Sequence, residues 1–219
     1  MSEYSKFPQV LLSLHYLPNL AYFSCMMQAE TVIIESREHF QKQTLRNRCY
    51  VNTANGVEIM SVPLQKPTRH VPVDEIRIDY SQEWVKKHWR CLTSAYANSP
   101  FFEYYAPDFL KVLNSRPAYL FDLNRQLLTL CLKFLRLPVE LTYNLSYEQT
   151  VQYPVFDVRN CITDKKNVNR YQFYRPHPYY QTFGNGFSDN LSIVDLLFNT
   201  GPEASEILLK SSVFRETVE

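Results

Sequence analysis

A basic stretch near the start of the chain contains residue types that can bind an anion. The segment "HFQKQTLRNRC", residues 39–49, holds His39, Lys42, Arg46 and Arg48 directly after the apolar run "TVIIES". On a helix, His39, Lys42 and Arg46 would share one face, whereas in an extended chain Arg46 and Arg48 would share a face. Either arrangement brings cations together, which is unfavourable unless an anion or a carboxylate neutralises them.

Two interpretations of this stretch stay open on the residues alone. Three carboxylates of the same region could neutralise the cations within the protein: Glu35, Glu38 and Glu58. Alternatively, the cations hold a phosphate or carboxylate group of a ligand, for which arginine offers a two-point donor. We predict a local anion site with Lys42, Arg46 and Arg48 as its core and His39 as a peripheral member.

Two histidines are candidate catalytic bases, because imidazole titrates near neutral pH without help. His15 and Tyr16 follow the first apolar run, and His88 lies between "WVKK" and "WRCL". Each also has a simpler interpretation, His15 as a satisfied loop histidine and His88 as a packed residue of a helix face. Ligands of open α/β sheets bind outside the carboxyl ends of strands, where His15 is expected. The free N–H groups of a helix starting near Leu20 would favour an anion at the same place.

A β-α-β unit and a hairpin would position these residues. The apolar run Val10–Leu14 and the run "TVIIES" predict two strands, and Asn19 is a suitable N-cap for the intervening helix "LAYFSCMMQA". Right-handed crossover makes the two strands parallel. The pair Asn55-Gly56 lies between alternating segments and is preferred in a two-residue hairpin turn.

From Trp84 onward the periodicity becomes helical, and "NLSIVDLLFNTGPEASEILLKSS" predicts a helical tail divided at Gly201-Pro202. "IRIDY" and "VELTYNLS" predict further strands, and residues 150–180 predict irregular structure. The predicted fold class is α/β, with a central mostly parallel or mixed sheet opened by a β-α-β unit, a hairpin around Asn55-Gly56 and a helical second half. No linker is evident, so we expect a single domain over residues 1–219.

Composition argues against several classes of function. The net charge is +1, whereas a general nucleic-acid or membrane-surface binder would carry a large basic excess. The chain has only 4 glycines and no glycine-rich phosphate loop, so side chains or helix ends must hold any phosphate. Its 5 scattered cysteines form no CxxC pair, which favours reduced thiols and argues against a zinc site. We expect a soluble cytoplasmic protein with no metal and no cofactor, since neither a secretory signal nor a bilayer-spanning run is evident.

Five sequence blocks, in order, resemble the WbqC-like family in its short, standalone form. They are "HYLPNLAYF", "HFQKQTLRNRC", "W…HWRCLTSAY", "SPFFEYY" and "QTFGNGFSDNLSIVDLLFNTGP". The resemblance runs from Leu14 to Pro202, nearly the whole chain. One position departs from the family pattern: family members commonly have glycine where Ala21 precedes Tyr22, which weakens the expectation that a ligand approaches the backbone closely there.

The resemblance implies a pathway and no particular reaction, since the family is associated with gene clusters for bacterial O-antigen and other surface polysaccharides. The positions that match the family pattern are His15, Tyr16, Pro18, Tyr22, Lys42, Arg46, Asn47, Arg48, His88, Tyr96 and Asp195. The resemblance assigns none of them a catalytic role. Our candidate catalytic residues are His15 and His88. Our candidate substrate-binding residues are Tyr16, Tyr22, Lys42, Arg46, Asn47, Arg48 and Tyr96.

Three functional hypotheses follow. The first is transfer of an acyl or aminoacyl group to a nucleotide-linked amino sugar in surface-polysaccharide precursor synthesis. Its expected partner is an anionic small molecule (a nucleotide, a nucleotide-sugar or a carboxylate), without general nucleic-acid binding or membrane insertion. The second is a non-catalytic binding or assembly protein of the same pathway, whose aromatic patches such as "SPFFEYY" contact protein partners. The third is a hydrolase that uses His88 with a neighbouring carboxylate.

Overall fold

Strands and helices alternate at the start of the chain, and helices dominate its second half. The computed structural model describes residues 7–66, 71–163, 173–184 and 186–213. The strands are β1 (Phe7–Ser13), β2 (Ala29–Glu35), β3 (Arg48–Thr53), β4 (Gly56–Ser61), β5 (Leu141–Tyr143) and β6 (Val155–Asp157). The α-helices are α1 (Leu20–Met27), α2 (Trp84–Tyr96), α3 (Phe102–Asn114), α4 (Leu120–Leu135), α5 (Ile193–Thr200) and α6 (Ala204–Ser211). Short 3-10 turns occupy Val73–Glu75 and Gly201–Glu203.

The larger sheet is parallel and has the strand order β5-β2-β1-β6. β1 and β2 pair with Val10 opposite Val32 and Leu12 opposite Ile34, so four buried apolar side chains point to one face. The predicted β-α-β opening is confirmed. From β1 the chain moves outward on one side through β2 to β5, and then returns to place β6 on the other side of β1. The topological switch point therefore lies between β1 and β6.

β3 and β4 form a separate antiparallel hairpin, which confirms the predicted hairpin but shifts its turn by one residue. Thr53 pairs with Gly56, so the two loop residues are Ala54 and Asn55. A type I′ turn needs positive φ at both central residues, and Asn55 does not adopt it. Instead Gly56 takes a φ of 99° just after the loop, where its lack of a Cβ makes that conformation inexpensive.

Helix α5 forms the centre of the helical half, since its residues are all buried. The Phe198 ring contacts the rings of Tyr96, Phe102 and Phe109, with centroid separations of 5.3, 5.1 and 5.8 Å. Burying each such side chain stabilises the fold by about 2 kcal/mol before entropy is counted. The predicted helical tail is confirmed, and Gly201-Pro202 divides it into α5 and α6.

Two segments differ from the sequence-based prediction. The "IRIDY" segment forms no strand; Arg77 and Ile78 make isolated bridges with Tyr119 and Leu64. The stretch 150–180, predicted to be irregular, contains β6, which pairs with β1. A three-residue strand carries little periodic signal, so only its pairing partner reveals it. Among the described residues, no helix combines the length and the apolar character that crossing a membrane requires.

Candidate functional site

A polar cavity of about 290 Å³ lies at the topological switch point, and we call it the switch-point cleft. Its lining includes Asn19, Leu45, Tyr50, Thr163, Ser188 and Asp189. Asn19 belongs to the loop after β1 and Thr163 to the segment after β6, so the cleft receives residues that follow the carboxyl ends of these two neighbouring strands. Open α/β sheets bind their ligands at this place.

The amino end of α1 borders the switch-point cleft, but its first N–H groups already have acceptors within the protein. Leu20 N donates to Leu191 O at 3.1 Å, Ala21 N to Asn190 Oδ1 at 2.9 Å, and Tyr22 N to Asn19 Oδ1 at 3.1 Å. Asn19 is thus the N-cap that the sequence predicts. The expectation that this helix start offers free N–H groups to an anion is wrong, because a second capping side chain, Asn190, arrives from far along the chain.

The basic stretch 39–49 forms turns before β3, and no helix spans it. Arg46 is buried, and its guanidinium donates to Glu38 through Nε and Nη2 at 2.8 and 2.5 Å. Nη2 also donates to Ser13 Oγ at 2.8 Å, at the end of β1. The sequence offered three carboxylates that could neutralise these cations, and in the structure Glu38 neutralises Arg46.

The other cations of the stretch have different surroundings. Lys42 is exposed, and Arg48 is partly exposed as the first residue of β3. Arg48 Nε is buried without a hydrogen-bond partner among the described residues. Arg48 lies on the same face of β3 as Tyr50, which lines the switch-point cleft, because side chains two residues apart point the same way. Arg48 itself is not among the residues that line the cleft.

Two further residues of the stretch contribute to its conformation. Asn47 Nδ2 donates to the Val62 carbonyl at 3.0 Å, which ties the stretch to the end of the hairpin. His39 is exposed, forms a bridge with Pro72, and its ring lies 6.1 Å from that of Tyr147. His39 does not share a helix face with Lys42 and Arg46, since no helix forms here.

His15 is a buried, neutral imidazole just beyond the end of β1. Burial and the nearby Arg46 charge lower the pKa of His15 from 6.5 to about 3. Its Nδ1 has no hydrogen-bond partner among the described residues. The Tyr22 ring lies 5.0 Å from the imidazole, and Tyr22 Oη donates to the Ser13 carbonyl at 3.1 Å. His15 thus combines a neutral ring with an unused nitrogen.

His88 is held by partners at both sides of its ring. Its Nδ1 lies 2.9 Å from Tyr16 Oη, and it hydrogen-bonds with the Ser61 backbone. Trp84 packs against it at 5.0 Å in an edge-on arrangement. Burial lowers the pKa of His88 from 6.5 to about 4, so the ring is neutral at physiological pH. This environment is that of a packed, hydrogen-bonded histidine on α2.

Tyr96 and Asp195 meet in a buried polar cluster behind the switch-point cleft. Asp195 accepts hydrogen bonds from Tyr96 Oη at 2.9 Å, Tyr179 Oη at 2.6 Å and Gln181 Nε2 at 2.9 Å. Burial raises the pKa of Asp195 above its usual range. Gln181 also exchanges two hydrogen bonds with the backbone of Ser188, which lines the cleft. The cluster therefore fixes one wall of the cleft.

A second buried arginine, which the sequence analysis missed, lies at the same sheet edge. Arg159 donates to Glu35 at 2.8 Å and to both carboxylate oxygens of Asp157 at 2.9 and 2.5 Å. Ser13 Oγ donates to the Arg159 carbonyl at 3.1 Å and accepts from Arg46, so it joins the two arginine clusters. The only sequence signal would have been Asp157 at the end of a strand, and that strand was too short to detect.

Comparison with known proteins extends the resemblance seen in the sequence. A model of the WbqC-like protein family matches residues 14–170 and 162–207. A relative from Mycobacterium tuberculosis (strain ATCC 25618 / H37Rv), "Uncharacterized protein Rv1507c", is 27% identical over an alignment of 222 residues, gaps included, that covers 89% of this chain and 94% of the relative. No solved structure matches the chain at a significant level. The family match spans both arginine clusters, the switch-point cleft and α5, and the chain belongs to the WbqC-like protein family.

Proposed function

We propose that this chain acts in the cytoplasmic synthesis of a bacterial surface-polysaccharide precursor, as an acyl or aminoacyl transferase. Its acceptor is an amino sugar linked to a nucleotide, and the switch-point cleft is the acceptor site. The observation that carries the proposal is a polar cleft lined by residues that follow β1 and β6. Leu45, which lines this cleft, accepts a hydrogen bond from the backbone N–H of Tyr16, the residue after the neutral His15.

The lining of the cleft suits an amino sugar. Thr163, Ser188 and Asp189 offer hydroxyl and carboxylate groups to sugar hydroxyls and to an amine. Thr163 Oγ1 is buried and has no hydrogen-bond partner among the described residues, so a bound hydroxyl would satisfy it. The Tyr50 and Phe187 rings add flat apolar surface, which sugar rings and bases both use.

Arg48 is the residue we assign to the phosphate or carboxylate of the ligand. Its Nε is buried without a partner among the described residues, and it shares a face of β3 with Tyr50, which lines the cleft. Lys42 adds positive charge at the surface. Arg46 acts through Ser13 and Glu38, which hold the loops at the end of β1 in position.

His15 serves as the base, because its Nδ1 is unused while Nδ1 of His88 already contacts Tyr16. The acceptor amine forms an amide bond with the acyl carbon, the leaving group of the activated donor departs with the bonding electrons, and the amine proton passes to His15. An anion bound nearby would raise the pKa of His15 from about 3 toward neutrality, so ligand binding would strengthen the base.

Calorimetric titration with nucleotides and nucleotide-linked amino sugars tests the binding part. We expect Arg48→Gln and Thr163→Val each to weaken the best ligand at least 10-fold, while Arg90→Gln, an exposed change on α2, has no effect. Incubation of that ligand with acyl-coenzyme A or aminoacyl donors, followed by mass spectrometry, tests the transfer. His15→Gln should abolish the product and leave the affinity within 3-fold. Unchanged binding in both cleft variants would contradict the proposal.

The alternative is a non-catalytic binding or assembly protein, and the exposed aromatic residues favour it. In "SPFFEYY", Phe102 is only 7% exposed, whereas Tyr104 is 75% exposed and is the exposed aromatic residue of the block. Co-purification of a glycan enzyme that is lost on Tyr104→Ser, with glycan synthesis in cells unaffected by His15→Gln, would select this alternative. Product formation by the purified chain would exclude it.

A further inference from the structure

We propose that the helical half carries a second ligand site, which takes a small anionic amphiphile. A cavity of about 560 Å³, here called the aromatic pocket, lies between α3, the end of α4 and the start of α6. It has no lining residue in common with the switch-point cleft. Its volume falls within the range of about 300–1,000 Å³ that is typical of small-molecule sites.

Aromatic rings form the walls of the aromatic pocket. Tyr105 packs against Phe134 with ring centroids 4.6 Å apart and against Tyr104 at 4.8 Å with the rings perpendicular. These edge-on contacts hold the rings before any ligand arrives. The Tyr104 ring is largely exposed, so an apolar ligand would remove apolar surface from water.

Gly201 shapes another wall. A Cβ on this residue would lie 2.5 Å from the Phe101 ring, and Gly201 takes a φ of 55°. The glycine therefore lets the Phe101 ring lie directly against the backbone of the turn before α6. Phe101 lines the aromatic pocket in this orientation.

Two cations line the same pocket and have no internal neutralising partner. Lys133 lies in the last turn of α4, and Arg136 follows the helix end. Neither side chain forms an ion pair or a hydrogen bond with another residue in the described part of the chain. Asp108 is the opposing carboxylate of the lining, which leaves an excess of positive charge.

The backbone at Arg136 gives a further argument. Arg136 adopts the left-handed conformation, with φ 51° and ψ 34°, at the helix end where glycine is the usual residue. A side chain in this conformation carries strain that glycine would avoid. A strained arginine whose charge lines a cavity indicates a role for that charge in holding a ligand.

The chemistry of the pocket selects the ligand class. Aromatic walls disfavour a fully hydrated ion such as free phosphate, and the unpaired cations favour negative charge over a neutral ligand. The ligand is therefore an apolar body that carries one carboxylate or one phosphate. This site is independent of the proposed transferase function.

Calorimetric titration of the full chain with octanoate, octyl phosphate and 1-octanol tests the site. We expect at least one of the two anions to bind, and 1-octanol to bind at least 10-fold more weakly than that anion. Comparison of octanoate with octyl phosphate shows which anionic group is preferred. Failure of both anions to bind, or equal binding of 1-octanol, would overturn the proposal.

Three variants connect binding to the pocket. Arg136→Gly should weaken the preferred anion at least 10-fold, while the midpoint of thermal unfolding stays equal or rises because strain is relieved. Lys111→Gln, on α3 outside the pocket, and Thr163→Val, in the switch-point cleft, should leave that affinity unchanged. Full affinity in Arg136→Gly, or a loss in Thr163→Val, would show that the anion binds elsewhere.

Discussion

Arg46 and Glu38 form a two-point ion pair inside the protein, with side chains only 3% and 5% exposed. Arg46 lies in the turns before β3, and Glu38 lies just beyond the end of β2. The pair holds these two segments together, and the bond from Arg46 to Ser13 attaches both to the end of β1. The ion pair thus locks the loops at the carboxyl edge of the sheet.

We predict that Glu38→Gln lowers the free energy of unfolding by about 3 kcal/mol, because it leaves the Arg46 charge buried and unneutralised. Urea denaturation monitored by circular dichroism measures the loss. The double variant Glu38→Leu/Arg46→Met should recover part of it, since no buried charge remains. Glu83→Gln is the matched control, because Glu83 pairs with Lys86 at the surface. A similar loss in the control and in Glu38→Gln would refute the interpretation.

The buried histidines predict that stability falls as the pH is lowered. Unfolded histidine has a pKa of about 6.5, whereas the folded values are about 4 for His88 and about 3 for His15. Between these pH values the unfolded chain binds a proton that the folded chain does not, so acid favours unfolding. The histidines therefore contribute their full stabilisation to the folded state above pH 6.5, and this stabilisation is lost as the pH falls toward the folded pKa values.

The corresponding measurement is the free energy of unfolding between pH 4 and 7. We expect the free energy of unfolding to rise with pH less steeply in His88→Gln than in the wild type, by about 1.4 kcal/mol per pH unit, the value for one proton. Asp195, whose pKa is raised, affects the pH dependence of stability with the opposite sign, because its folded form binds the proton more tightly. The slope of the variant is therefore compared with the slope of the wild type. Gln41→Ala, a non-titrating surface change, should keep the wild-type slope. Parallel slopes for wild type and His88→Gln would contradict the prediction.

The Gln181 side-chain amide forms two hydrogen bonds with the Ser188 backbone, one to the carbonyl and one from the N–H, each 2.9 Å long. We predict that Gln181→Ala raises the hydrogen-exchange rate of the Ser188 amide at least 10-fold, since that N–H loses its acceptor. Exchange measured by NMR checks this. Gln82→Ala, at an exposed position, is the control. Unaltered protection of Ser188 would mean that other contacts hold the cleft wall.

Two glycines provide a matched pair of substitutions. Gly201→Ala would place a Cβ 2.5 Å from the Phe101 ring at a positive φ, so we expect a loss of about 2 kcal/mol or more. A Cβ at Gly186 meets nothing within 4 Å, so Gly186→Ala should change stability by less than about 0.5 kcal/mol. Thermal denaturation of both variants measures the difference, and equal midpoints would disprove the steric argument.

Local rules predicted much of the fold. Asn19 caps α1, the β-α-β unit is parallel, and Gly201-Pro202 separates α5 from α6. The turn at Asn55-Gly56 was correct to within one residue. β6 was not predicted, because three residues carry no usable periodicity and its existence depends on pairing with β1. The two caps of α1 show the same division: Asn19 is local and predictable, whereas Asn190 is 169 residues from its partner Ala21.

The sequence by itself determined the fold class, the basic stretch at 42–48, the position of His15 beyond the first strand, and the resemblance to a family. Periodicity, capping and turn preference depend on neighbours within about two helical turns, so they can be read from the chain. Only the tertiary structure decided which charge each arginine meets and where a cavity opens. Arg159 meets Glu35 across 124 residues and Tyr96 meets Asp195 across 99. Such pairings arise when distant segments pack together, because burial forces each polar group to find a partner that sequence spacing does not specify.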